Sequence, residues 1–283
     1  MATTYWHRIL GKILRELLTP VDITVEVDSP ILVNSPRADV VLLRRGGECW
    51  REEQRARLAD GIRDATAPNV ILEFKYTESL NTDSLAQAMA YDYHYRQAQK
   101  LTTEALAVFL LASHTPNAEF LSGLGYEPSA WPGVYQSLDP NRRRLQVLVL
   151  NDLAPAQHNL AFQCFASRRR IYRAALRQFM ASPVTKGSAL LERIVLGLWR
   201  LLMQETPPIT EVTPDFIEQL GQEVIDNLLE GMSIDEVVRH YSLDEVLKHY
   251  PSDEVLKHYP SDEVLKHYPS DEVLKHYPSD EVL

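Results

Sequence analysis

The sequence predicts an α/β fold whose core runs helix, three strands, helix, strand, followed by a helical C-terminal region and a nonapeptide-repeat tail. Three observations carry this prediction. Apolar residues recur at helical spacing across residues 5–18. Three β-rich runs, DITVEV, ADVVLL and NVILEF, follow one another. After a second helical stretch comes ALAVFLLAS, the pattern of a buried strand.

In the first helix Trp6, Ile9, Leu10, Ile13, Leu14, Leu17 and Leu18 form one broad apolar face, and Pro20 ends it. Gly46 and Gly47 offer a turn after the second strand, and a long polar insertion, residues 48–69, precedes the third. Residues 82–100 read as the second helix. LQVLVL, residues 145–150, reads as a further strand, and the chain beyond about residue 160 is mostly helical, with breaks at Pro183 and Pro207-Pro208. The expected division is an α/β domain over 1–155, a helical extension over 156–231 and repeats over 232–283.

The 283 residues are 45% hydrophobic with a formal net charge of -10, which excludes an intrinsically disordered chain. No apolar run approaches the roughly 18 residues of a membrane span, and the first residues carry charges where a signal peptide would be apolar. A soluble protein of the cytoplasm, with no membrane partner, is the expectation. Two cysteines without CxxC spacing, Cys49 and Cys164, argue against a disulfide framework or a cysteine zinc site.

The average charge conceals a split. Residues 1–204 hold 24 basic and 20 acidic side chains, a balance of +4, whereas residues 205–283 hold 5 and 19, a balance of -14. Binding of a polyanion is therefore judged on the first part. The acidic part contains the repeat: MSIDEVVRH, YSLDEVLKH, three copies of YPSDEVLKH and a truncated YPSDEVL. Each later unit reads as a short helix capped by a serine such as Ser252 and stopped by a proline such as Pro260. Its histidines, nine apart, lack the i, i+4 spacing of a helical metal site.

The chemistry lies where polar residues interrupt a strand. In NVILEFKYT, Glu73 and Lys75 alternate with Leu72, Phe74 and Tyr76, so both charged side chains emerge on one face. Such a pair is costly at a strand end unless it is solvated or has a task. Asp39 opens the neighbouring run ADVVLL, and antiparallel pairing could bring its carboxylate beside Glu73. Two carboxylates with a lysine beside them suit a hard divalent cation such as Mg²⁺ and an oriented water.

With SPRAD ending at Asp39 and EFK at Glu73–Lys75, residues 5–113 resemble the PD-(D/E)xK nuclease superfamily. The resemblance implies a restriction-endonuclease-like core in which Asp39 and Glu73 bind Mg²⁺ or Mn²⁺, together with the backbone carbonyl of Phe74, while Lys75 positions or deprotonates the attacking water. It further implies that an acidic residue of the first helix joins the site, and Glu16, at the edge of the apolar face, fits. Gln87 and Tyr91 in QAMAY are similar to the QxxxY element of RecB-like nucleases, and their i, i+4 spacing puts both on one side of the helix. The layout also resembles the recombination-promoting, transposase-associated branch. Two departures stand out: Ala38 replaces the proline expected before Asp39, and 33 residues separate Asp39 from Glu73. Asp60 and Asp64 are rival metal ligands closer in sequence; Asp39 is favoured because VVLLRR after it reads as a strand.

Two basic clusters suit phosphate contacts with DNA. Arg142, Arg143 and Arg144 precede LQVLVL, and Arg169, Arg170, Arg173 and Arg177 form a stripe at helical spacing. The expected function is Mg²⁺-dependent endonucleolytic cleavage of DNA, linked to recombination or transposition. The alternative is an inactive nuclease-like fold that binds or assembles, as an oligomer included, through its repeat tail.

Overall fold

The computed structural model describes residues 5–28, 40–45, 49–203 and 212–230. The repeats and Asp39 lie outside them. The helices are α1 (Trp6–Leu18), α2 (Glu52–Arg55), α3 (Thr82–Gln99), α4 (Ala118–Gly123), α5 (Leu160–Gln163), α6 (Arg169–Met180), α7 (Pro183–Lys186), α8 (Ala189–Met203) and α9 (Pro214–Glu230). The strands are β1 (Ile23–Val27), β2 (Val40–Arg45), β3 (Asn69–Lys75), β4 (Leu106–Ala112), β5 (Tyr126–Pro128), β6 (Val134–Ser137) and β7 (Leu145–Val149). By contacts the chain divides after Gly221 into two units.

The strands form one mixed seven-stranded sheet in the order β1-β2-β3-β4-β7-β6-β5. β3, β4 and β7 run parallel at its centre, and antiparallel pairs flank them on both sides. Every residue of β4 is buried, as an apolar strand covered on both faces requires.

The two faces carry separate cores. On one face, Val70, Leu72 and Phe74 of β3 pack with the apolar stripe of α1 and with Phe162, Leu176 and Leu198 of α5, α6 and α8. On the other, Ile71 packs with Val108 and Leu110 of β4, Ala88 and Tyr95 of α3, and Leu121 of α4. Because the first core joins the sheet to α5, α6 and α8, the boundary expected at residue 155 is not a break in packing. The insertion at 48–69 is likewise more than a polar loop, since Trp50, Leu58, Ala59 and Ile62 are buried in that core. Sequence periodicity also does not find the β5–β6 hairpin, whose turn contains Gly133 at φ 76° with the backbone of Leu153 only 2.6 Å from where a Cβ would stand. No helix among the described residues is long and apolar enough to cross a membrane.

Candidate active site

The alternation of β3 decides the site. With Val70, Leu72 and Phe74 committed to the α1 face, Ile71, Glu73 and Lys75 must point to the face covered by α3. Glu73 is fully buried there, and the Lys75 ammonium lies 2.9 Å from its carboxylate. α3 begins soon after β3, its N-terminus capped by the Asn81 side chain, which accepts from the Ser84 amide. The first turns of α3 bring Gln87 over the strand end. Lys75 donates to Gln87 Oε1 at 3.0 Å, and Gln87 Nε2 donates to the Tyr91 hydroxyl one turn further on. Glu73, Lys75, Gln87 and Tyr91 therefore form one continuous polar chain from the end of β3 to α3.

Residues that the sequence did not single out fix the surrounding sheet edge. The Ser113 amide donates to the Lys75 carbonyl at 3.1 Å, and Asn151, at the end of β7, donates to the Ser113 carbonyl at 2.9 Å. Asn151 also accepts from the Arg168 amide at 2.9 Å, so the ends of β3, β4 and β7 are tied to the start of α6. The one sequence signal for Ser113 and Asn151 is a polar residue directly after a buried apolar run. Beside them Tyr76 stacks on Trp6, with ring centroids 4.0 Å apart. Burial, with Tyr172 adding to it, pushes the Tyr76 phenol up to about 12, so it stays protonated and is no general base at neutral pH.

The expected ligands divide. Asp39 lies outside the described residues; the described part of β2 starts one position later, at Val40, which is the partner of Glu73 in the ladder. Glu16 stands on α1, whose apolar stripe packs with Val70, Leu72 and Phe74 and not on the Glu73 side of β3. α1 covers the face opposite the one that α3 covers, and it meets the strand end through Trp6, which stacks on Tyr76. Asp60 is also on the α1 side, between Ala59 and Ile62 of that core. It is buried and held by His158 at 2.8 Å and Asn159 at 2.7 Å. Asp64 pairs with Arg55. Among the described residues no group of three or more His, Cys, Asp or Glu side chains could hold a metal ion.

The basic clusters separate as well. Because β3, β4 and β7 are parallel, residues that precede β7 lie at one sheet edge, and the start of α6, tied to the strand ends, lies at the other. Arg169 and Arg170 are exposed at the Lys75 edge, Arg177 is exposed further along α6, and Arg173 is partly buried. Arg142, Arg143 and Arg144 are at the far edge. Arg142 and Arg143 are exposed, but Arg144 forms a bidentate pair with Asp92, which Arg96 also grips. Arg144 is thus fixed by Asp92, which it shares with Arg96, and the three arginines do not extend the α6 stripe.

Burial pushes the Asp92 carboxyl up, but the hydrogen bonds from Arg144 and Arg96 outweigh it and hold the group below its ordinary 3.8. Its stabilising contribution is complete above that value and disappears as pH falls through the lower folded one. Asp92→Asn is expected to cost about 2–3 kcal/mol at neutral pH, read from urea unfolding, with the gap to the parent narrowing in acid. A gap unchanged at about pH 2 would contradict this assignment.

No protein-family model, curated protein or solved structure matches the chain.

Proposed function

We propose that the chain is a metal-dependent deoxyribonuclease of the PD-(D/E)xK type, with a restriction-endonuclease-like core and its phosphodiester chemistry at Glu73 and Lys75. The observation that carries this reading is the fully buried Glu73 carboxylate with Lys75 at 2.9 Å, the lysine fixed in turn by Gln87 and Tyr91. A structural ion pair needs no such relay from a neighbouring helix. Arg169 and Arg170, at the same sheet edge, add positive charge suited to flanking phosphates.

The donor type of Glu73 fits a hard cation, which takes carboxylate and carbonyl oxygens. Asp39, next in sequence to the ladder partner of Glu73, is the second carboxylate this proposal calls on. When bound, Mg²⁺ or Mn²⁺ supplies charge stabilisation to the phosphoryl oxygens and a lowered pKa to water. Lys75 has three donors, of which Glu73 and Gln87 engage two, which leaves the third for the attacking water or a phosphoryl oxygen. Gln87 restrains the ammonium, and Tyr91 restrains Gln87, so that Lys75 is held in place before substrate arrives.

Purified protein is expected to nick supercoiled plasmid in Mg²⁺ or Mn²⁺ and to stop in chelator. Absence of metal-dependent nicking on plasmid and on short duplex and single-stranded DNA would defeat the proposal.

A further inference from the structure

The flank of α3 away from Gln87 borders a cleft of about 220 Å³, between the helix and the residues leading into β7. Its apolar wall is Met89, 43% exposed, and Tyr93, 55% exposed, two large side chains facing solvent side by side. Its polar wall is built on Asp92, 5% exposed, which accepts two hydrogen bonds from each of Arg96 and Arg144. Arg144 is further fixed through the Asn141 carbonyl at 2.7 Å. One buried acid therefore holds two guanidinium groups rigidly and neutralises the charge of only one. Arg142, which also lines the cleft, lies 3.4 Å from Asp139 with both side chains partly exposed, a pair that water and salt screen.

An exposed phenol ring and a thioether beside fixed guanidinium groups form a platform for a flat, electron-rich ring carrying an anionic backbone. We propose that this cleft binds single-stranded DNA, with a base stacked on Tyr93 and backbone phosphates on Arg142 and the Arg96–Arg144 pair. A duplex keeps its base faces stacked inside and has no ring to offer Tyr93, whereas an unpaired strand does. Leu145 is level with Val108, and Val108 with Ile71, so Arg144 lies two strands across from Glu73 and three residues back. At strand spacing that is roughly 10 Å in each direction, too far for the cleft to touch the phosphate reacting at Lys75. It would hold the flank of a strand, and it does not depend on hydrolysis.

The test is fluorescence anisotropy of the full chain with labelled oligothymidylate of roughly 16 nucleotides and with a duplex of equal length, in chelator so that nothing is cut. Tyr93→Ala is expected to weaken oligothymidylate binding about tenfold and leave duplex binding unchanged. Arg142→Ala is expected to lower the salt dependence of that binding by about 0.7 in log–log slope. Both positions are on the surface, and thermal melts matching the parent confirm the fold. Unchanged oligothymidylate affinity in Tyr93→Ala, or equal loss on duplex, would overturn the proposal. The parent chain separates the two sites: oligothymidylate binding that needs Tyr93, from a parent that never nicks DNA in Mg²⁺ or Mn²⁺, keeps the cleft and removes the nuclease.

Discussion

Replacing Lys75 with alanine is expected to lower the rate of metal-dependent nicking by about 10²–10³-fold, the range for loss of one preorganised donor at developing charge. The change also affects folding. Glu73 is fully buried with Lys75 as its near cation, and removing one partner of a buried pair costs about 3–5 kcal/mol because the other charge remains. Loss of activity alone would therefore be ambiguous. The double variant Glu73→Gln with Lys75→Ala has no buried charge to strand, so it is expected to recover stability towards the parent while staying inactive. Circular dichroism and urea unfolding report the first property, plasmid nicking the second. Lys75→Ala nicking at the parent rate would remove the lysine from the chemistry. Gln87→Ala, which frees the ammonium without removing it, should cost less, about tenfold, mainly in kcat.

Gly197→Ala is expected to destabilise the protein by about 3 kcal/mol, although in an exposed helix the same change would stabilise by about 1 kcal/mol. The sign follows from a reciprocal close approach of α8 and α9. A Cβ on Gly197 would stand 1.7 Å from the Ile217 carbonyl oxygen, and one on Gly221 would stand 1.8 Å from that of Arg193. Both obstacles are backbone, so neither can rotate away and the helices must separate. Their crossing is also held by Glu218, which takes Lys12 of α1 at 2.6 Å and Arg193 of α8 at 3.3 Å. A urea midpoint in Gly197→Ala equal to or above the parent value would show that the helices do not touch there.

Much of the α/β architecture was legible because its elements carry local signals. The stripe from Ile9 to Leu18, the alternation around Glu73 and the apolar run at Leu106–Ala112 are short-range patterns, and each maps onto one element. The β5–β6 hairpin was not legible, since three-residue Tyr126–Pro128 offers too short a pattern. Buried Trp50, Leu58 and Ile62 follow no period, because irregular chain places them.

Within the site, the strand and helix periods put Glu73 with Lys75 and Gln87 with Tyr91 as two pairs. That the pairs meet depends on which face α3 covers. The place of Glu16 at the rim of α1 is a local property, but the face of the sheet that α1 occupies is not. The bond from Arg144 to Asp92 spans 52 residues and is set by strand order alone, so a run of three arginines looked alike in sequence and separated in the fold. Ser113 and Asn151 gain their roles only when β4 and β7 lie in parallel beside β3.

The most direct measurement is the initial rate of plasmid nicking against Mg²⁺ concentration for the parent chain and Glu73→Gln, prepared side by side with folding checked by circular dichroism. The parent rate is expected to rise and saturate with Mg²⁺, while folded Glu73→Gln shows no nicking at any concentration. Equal, metal-independent rates in the two proteins, or nicking by Glu73→Gln at the parent rate, would contradict a metal-dependent centre at Glu73.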